Sequence, residues 1–386
     1  FAVFALVIFI ASPFVGKLMT THGKKTIYCS GLVLVACSTV AFSVASLLPE
    51  GPLFACWCLV MRLLQGVGSA MEETAAYAII ADMGSAELSC LTGTTEISPG
   101  FGYMIGPPLG GILFSAGGFA APFLVLGIAL LPAAALTHHR LPSDMRRSDT
   151  DESDESDVPM RTLLHNPQVM VIAMASVLAN SDYAFLEPTL GDHLISSGLT
   201  NSQAGIGAIF SVSSVCYTIS CPLIGLLASR KRAGPRPMIV GGLLLQLLGF
   251  LLIGPSPLLR LERAAIGPII LALILFGLGE SMSMTPVMDD MMHSCGEKAD
   301  AAVNSLSSLL ASSFSLGQMI GPLMGTFLTS RYSFPMACTV MSIGILVHTA
   351  IILIADSSVP RRTAPKDGGY LELTSIPPAV ESAQED

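Results

Sequence analysis

The sequence predicts an all-α membrane protein built from two copies of one helical bundle, and three observations carry that expectation. Of the 386 residues, 52% are hydrophobic and 12% charged, with a mean hydropathy of +0.67, which is too apolar for a soluble domain. Apolar runs repeatedly exceed the ~20 residues that a helix needs to cross a bilayer. Finally, "GYMIGPPLGG" at Gly102 to Gly111 is written again, two hundred residues on, as "GQMIGPLMG" at Gly317 to Gly325.

Charge and turn clusters divide the chain into eleven spans, near 1–18, 25–48, 53–81, 88–116, 119–137, 166–190, 204–229, 237–254, 266–288, 300–328 and 333–355. The first offers only fifteen residues before Gly16 and Lys17. It has neither a basic leader nor a small-residue cleavage pattern, so it reads as a span entered part-way rather than as a signal peptide.

Orientation follows from the nineteen Lys and Arg residues. If the loop at Gly23 to Lys25 faces the cytosol, fifteen fall on that side: Lys17, Lys24, Lys25, Arg140, Arg146, Arg147, Arg161, Arg230, Lys231, Arg232, Arg236, Lys298, Arg361, Arg362 and Lys366. Arg260, Arg263 and Arg331 fall opposite, and Arg62 lies within a span. This is a strong positive-inside bias. A cytosolic N-terminus then requires one more helix ahead of Phe1, twelve in all.

The doubled Gly-Pro segment is one of three internal matches. "SPFVGKL" at Ser12 to Leu18 answers "CPLIGLL" at Cys221 to Leu227, and "QGVGSAM" from Gln65 answers "FGLGESM" from Phe276. The offsets, 215, 209 and 211, agree within six residues and so describe a repeated bundle. The expected organisation is an N-terminal bundle at 1–137 (helices 2 to 6), an acidic cytosolic linker at 138–165, a C-terminal bundle at 166–355 (helices 7 to 12) and a disordered cytosolic tail at 356–386. Much of the net charge of −9 comes from "DTDESDESD" at Asp149 to Asp157 and from the tail, which read as solvated segments. Two parallel bundles rocking about a midplane site are the architecture of secondary transporters.

Two readings stand for Gly102, Gly106, Pro107 and Gly110 with their counterparts Gly317, Gly321, Pro322 and Gly325. Glycines four apart let helices approach closely, and proline removes a backbone donor and allows a bend. Either the segments are simple packing faces or they form a hinge-like seal between the halves, and their recurrence favours the seal.

Ionisable residues at bilayer depth mark a pathway by default, because an unpaired charge there costs several kcal/mol. At 1.5 Å per residue, Arg62 lies ~14 Å into its span and Glu280 ~20 Å into its own, and both are expected to face a central cavity. Glu96 lies about two turns into the fifth span. Asp182 and Glu187 are five apart, too far round the helix to share a face cleanly, and Pro188 predicts a break beside them. Glu187 is the preferred inward carboxylate. Arg62 cannot give up its proton, so its alternative role is to anchor a helix-helix network. Glu72 and Glu73 are expected toward the cytosolic end, and Asp82, Asp289 and Asp290 at the solvated interface.

At these residues the chain resembles a known family. "GKLMTTHGKK" from Gly16, with Gly23, Lys24 and Lys25, looks like the loop motif of the major facilitator superfamily. "RLLQGVGSA", with Gln65 and Gly66, looks like its fourth-helix motif, and the Gly-Pro segments resemble its antiporter motif. "AFLEPTL" at Ala184 to Leu190, "GPSPLLRLE" and "GESMSMTPVM" are similar to the vesicular amine transporter family, and most of all to its vesicular polyamine branch. The resemblance implies a fold of two six-helix bundles and a proton-driven exchanger that carries organic cations into acidic vesicles. It also implies that no cofactor is needed beyond the proton gradient. Thr20 and Ser229 replace the acid of the family's loop motif, and Phe4 and Ala311 stand where monoamine members carry Lys and Asp.

Other chemistry lacks a signature. There is no phosphate-binding "GxxxxGK[ST]", no HExxH or paired CxxC for a metal, and no nucleophile elbow, which excludes the common enzyme classes. The nine Cys lie almost wholly in spans and read as structural. The basic loops read as membrane-surface features, with no nucleic-acid partner. "YLEL" at Tyr370 to Leu373 looks like a sorting-adaptor signal. The expected location is therefore a secretory or synaptic-type vesicle membrane. A multidrug-proton antiporter of the cell surface, and a transporter-like sensor or scaffold that carries nothing, are the alternatives.

Overall fold

The computed structural model describes residues 2–83, 88–141, 158–200, 202–229, 234–256 and 265–357, the side chains of Pro107, Gln203 and Ala204 excepted. Asp149 to Asp157, the basic residues Arg146, Arg147, Arg230, Lys231, Arg232, Arg260, Arg263, Arg361, Arg362 and Lys366, and Tyr370 to Leu373 lie outside the described residues.

Every regular element described is helical. The first set comprises α1 (Ala2–His22), α2 (Lys24–Phe42), α3 (Pro52–Asp82), α4 (Leu88–Thr95), α5 (Ile97–Gly117) and α6 (Ala120–Arg140). After the short α7 (Met160–Leu164) come α8 (Pro167–Ser196), α9 (Gln203–Ser229), α10 (Pro235–Ile253), α11 (Ile266–Met284), α12 (Val287–Cys295), α13 (Ala299–Arg331) and α14 (Phe334–Ser357). Proline opens α3, α8 and α10 at positions where its missing N–H costs nothing, and Asn166 Oδ1 accepts from Gln168 N to cap α8. Gly118 and Gly296 turn the chain at φ 66° and 60°, values that side chains resist.

Among the described residues, nine stretches are long and apolar enough to cross a membrane. Eleven spans were expected, and two features account for the difference. The stretch Ile266–Arg331, 66 residues, is far too long for a single crossing and turns at Gly296. Glu96 keeps helical angles (φ −64°, ψ −13°), so α4 and α5 run on as one rod, but the Ser, Thr, Gly and Pro along it lower its hydropathy. The break expected at Pro188 does not occur, because α8 continues through it to Ser196.

The repeat is visible as matched packing. Gly31 meets Gly68 where α2 crosses α3, and Gly242 meets Gly279 where α10 crosses α11, an offset of 211 for each residue. A Cβ on Gly31 would lie 2.8 Å from the Gly68 carbonyl oxygen, and one on Gly242 would lie 2.5 Å from that of Gly279. Each half also carries an ion pair at its basic end. Lys24 Nζ lies 2.6 Å from Asp82 Oδ2 between α2 and α3, and Arg236 Nε lies 3.1 Å from Asp290 Oδ2 between α10 and α12. The acids expected at a solvated interface are thus partnered. Asp290 is buried, and Asp289 accepts from Ser89 Oγ at 2.9 Å, a bond between α12 and α4.

The two Gly-Pro segments do not share a packing role. Gly317, Gly321 and Gly325 on α13 press against α8 of the same set, with Cβ positions 2.5, 2.5 and 3.1 Å from the carbonyls of Val177, Ser181 and Phe185. Gly102, Gly106, Gly110 and Gly111 on α5 meet nothing within 4 Å. Neither set closes the seam between the halves. That contact is made nearer the basic end by other small residues: Gly16 on α1 against Ser308 and Asn304 on α13, and Gly93 on α4 against Cys221 and Gly225 on α9. The halves therefore touch from their basic ends up to about mid-helix.

Candidate functional site

A cavity of about 970 Å³ runs between the helices. Along α3 its wall passes from Arg62 through Glu72, Glu73, Tyr77 and Ile80 to Met83. Where α4 meets α5 it takes Glu96, and on α5 Gly100 and Tyr103; on α8, Asn180, Tyr183, Ala184 and Glu187; on α9, Ser214 and Tyr217; on α11, Glu280 and Met284; and on α13, Phe314, Gln318 and Pro322. Four of the five expected site residues, Glu187, Glu280, Arg62 and Glu96, are thereby brought to one space. Asp182 is not. It is fully buried behind the wall, one face round α8 from Glu187, as the five-residue spacing implies.

Glu72, Glu73 and five tyrosines (Tyr28, Tyr77, Tyr103, Tyr183 and Tyr217) complete the wall. Sequence reasoning set the two glutamates near the cytosolic end, but the cavity reaches that far along α3. It had no reason to single out the tyrosines, which come from five different helices and share no spacing. For the glutamates the signal was present: two adjacent acids inside the apolar run of α3.

The site is held by hydrogen bonds and stacked rings. Tyr217 Oη donates to Glu96 Oε2 at 2.7 Å, bridging the halves from α9 to the junction of α4 and α5. Gln246 Nε2, from α10, donates to Glu280 Oε2 at 3.0 Å. Tyr183 Oη lies 3.2 Å from Ser214 Oγ, and its ring packs 6.0 Å from Tyr103 and 5.7 Å from Phe210. Tyr77 meets Phe314 edge-on at 5.5 Å, another contact between the halves. Arg62 lies 4.9 Å over the Phe42 ring and donates to Gln65 Oε1 at 3.2 Å, while Gln65 Nε2 donates to Thr39 Oγ1 at 3.1 Å. Arg62 is thus engaged by its own bundle through α2 and α3, and Glu280 by Gln246.

Chemically, this wall suits a positively charged organic guest. Five carboxyl side chains share the wall with one guanidinium, so acids outnumber the fixed cation. Tyrosine faces attract ammonium groups through the ring quadrupole, and their hydroxyls supply polar contacts. The size lies at the upper end of that of small-molecule sites.

Comparison with known proteins agrees with this geometry. A Major Facilitator Superfamily profile matches residues 1–310. Mouse MFS-type transporter SLC18B1 is 29% identical, over 94% of this chain and 79% of its own length. The human synaptic vesicular amine transporter is 27% identical over 89% of this chain, which spans 63% of that relative. Among solved structures, the human organic anion transporter MFSD10 superposes with a TM-score of 0.70 at 18% identity, covering 91% of this chain and 82% of that one. The Major Facilitator Superfamily transporter FucP gives 0.67 at 18% identity, covering 91% and 88%. At such identity the likeness to these structures speaks for the fold alone. The profile, by contrast, runs across both sets of helices, and the chain belongs to the major facilitator superfamily, as a multi-pass membrane transporter rather than an enzyme.

Proposed function

We infer that this transporter exchanges protons for organic cations, carrying amines from the cytosol, on its basic side, into acidic vesicles. The observation that carries the reading is the cavity wall of five glutamates and five tyrosines around a single arginine. Polyamines are the favoured cargo. Their ammonium groups are separated by methylene chains, and the carboxyls are correspondingly spread over α3, the junction of α4 and α5, α8 and α11 rather than gathered at one point. The similarity to vesicular amine transporters supports the same class of cargo.

Coupling follows from competition. A carboxyl in a poorly hydrated site favours its neutral form, whereas an arriving ammonium favours the ionised form. Proton and amine then exclude one another from the same group. Glu187 and Glu280 are assigned this role, and Glu96 and Arg62 line the path. The proton gradient supplies the energy, with no other cofactor.

Purified protein in proteoliposomes with an acidic interior tests this. Spermine or a monoamine added outside should be taken up while the lumen becomes more alkaline. Glu187→Gln and Glu280→Gln should each abolish that coupled uptake while the protein keeps its thermal unfolding midpoint. Normal coupled uptake in both variants would remove these residues from the mechanism.

A further inference from the structure

Behind the cavity, three aromatic rings from three helices stack in one layer. Phe185 on α8 meets Phe250 on α10 edge-on at 5.5 Å, and Phe250 meets Phe276 on α11 at 4.7 Å. One turn away, three polar residues occupy the same helices: Asp182 three residues before Phe185, Gln246 four before Phe250, and Glu280 four after Phe276. α8 and α10 are entered from the basic side and α11 from the opposite one, so all three steps lead ~4.5–6 Å in the same direction. Asp182, Gln246 and Glu280 therefore form a second layer beneath the aromatic one. The bond from Gln246 Nε2 to Glu280 Oε2 lies within it.

This layer is incomplete in a complementary way. Asp182 is 0% exposed and neither carboxyl oxygen has a hydrogen-bond partner. Gln246 is also 0% exposed, and its Oε1 lacks a donor. An ionised carboxylate in that position would be desolvated with nothing to offset the cost. A neutral carboxyl instead has one O–H to give, and the orphaned amide oxygen lies at its depth.

Among the described residues, no ionisable group other than Glu280 on a helix packed against α8 lies at the depth of Asp182. Of the helices packed on α8, α7 carries Arg161 and α14 carries Asp356 at the basic end, α13 carries charge only at its ends (Asp300, Arg331) and α10 only at Arg236. α11 brings Glu280. α12 carries Asp289, Asp290 and His293 near the basic end. His348 on α14 lies beside Val171, and His193 on α8 itself stacks on Phe334; Val171 and His193 are each eleven residues from Asp182, ~16 Å along the helix.

We propose that Asp182 is a proton-binding residue sealed from the cavity, and that Asp182, Gln246 and Glu280 act as one two-carboxyl proton site. This rests on the exchanger reading and deepens it. With the amide as it stands, Gln246 accepts from protonated Asp182 and donates to ionised Glu280. Turned by half a rotation, the amide donates to Asp182 and accepts from protonated Glu280. One proton crosses from one carboxyl to the other, and none is gained or lost. Glu280 faces the cargo, and Asp182 holds the proton out of its reach. Two interacting carboxyls release protons in two steps that belong to the pair.

The test uses Asp182→Asn, an uncharged residue of the same shape, in the full-length protein with spermine as probe. Affinity for spermine should fall on acidification in two steps in the parent and in a single step in the variant. Infrared difference spectra should show the carbonyl stretch of an unsolvated neutral carboxyl in the parent and its loss in Asp182→Asn. Equal numbers of steps, or no such band, would overturn the proposal. If the parent does not bind spermine, the exchanger reading fails, and the infrared band still decides whether Asp182 holds a proton.

Discussion

Single residues decide how firmly each half is tied at its basic end. The pairs Lys24–Asp82 and Arg236–Asp290 occupy matching positions in the repeat but differ in surroundings. The Asp82 side chain is 33% exposed and that of Asp290 is 7%. Arg236 also reaches Gln168 Oε1 at 2.6 Å and Asp356 Oδ1 at 3.3 Å, so it joins α8, α10, α12 and α14. Exposed pairs contribute about 0.2–1 kcal/mol, whereas stripping one partner from a buried pair costs about 3–5 kcal/mol. Asp290→Asn should therefore lower the thermal unfolding midpoint well beyond Asp82→Asn, and equal shifts would show that Arg236 finds its partners elsewhere. These latches were hidden in the sequence because the acid sought in the loop is replaced by Thr20 and Ser229, while Asp82 ends α3 and Asp290 lies within α12. The inward acids were legible for the opposite reason: Glu187, Glu280 and Glu96 stand alone in apolar runs. Asp182 has the same signal, and only packing separates its role from theirs.

Elements differ in what their small residues do, and that could not be read from the motif. Gly317 and Gly321 bring α13 against α8 inside one bundle, so side chains there should act on stability. Gly321→Val should cost about 1–3 kcal/mol by overpacking, read as a lower unfolding midpoint. Gly225 on α9 lies against α4 across the seam, where an added Cβ would sit 2.5 Å from the Ser89 carbonyl oxygen. Gly225→Ala should leave the fold intact and open the basic side. Thiol labelling of a cysteine at position 89, in a background free of the nine native cysteines, should quicken from that side. Unchanged labelling would mean that the α4–α9 contact does not hold the closed state. The Gly-Pro repeat marks α5 and α13 as the helices expected to hold equivalent places in the two halves. It did not report which neighbour each helix meets, because α5 and α13 present the same glycine pattern to different surroundings.

Over the whole molecule, the number of rods and the doubling of the bundle follow from hydropathy, basic-loop asymmetry and three offsets that agree. The cavity did not follow, since its wall draws one or two residues from each of many helices and only tertiary packing collects them. Small residues join the halves near the basic end, and the cavity wall runs along α3 from Arg62 to Met83, the space in which the proposed exchange would occur. Coupling should then run in either direction, because proton and cation displace each other from the same carboxyls. The most direct measurement starts with proteoliposomes at equal pH inside and out, loaded with spermine and diluted into spermine-free buffer. Outward movement of the amine should draw protons inward and acidify the lumen with no other energy source. Loss of the amine with lumenal pH unchanged would contradict proton-cation exchange.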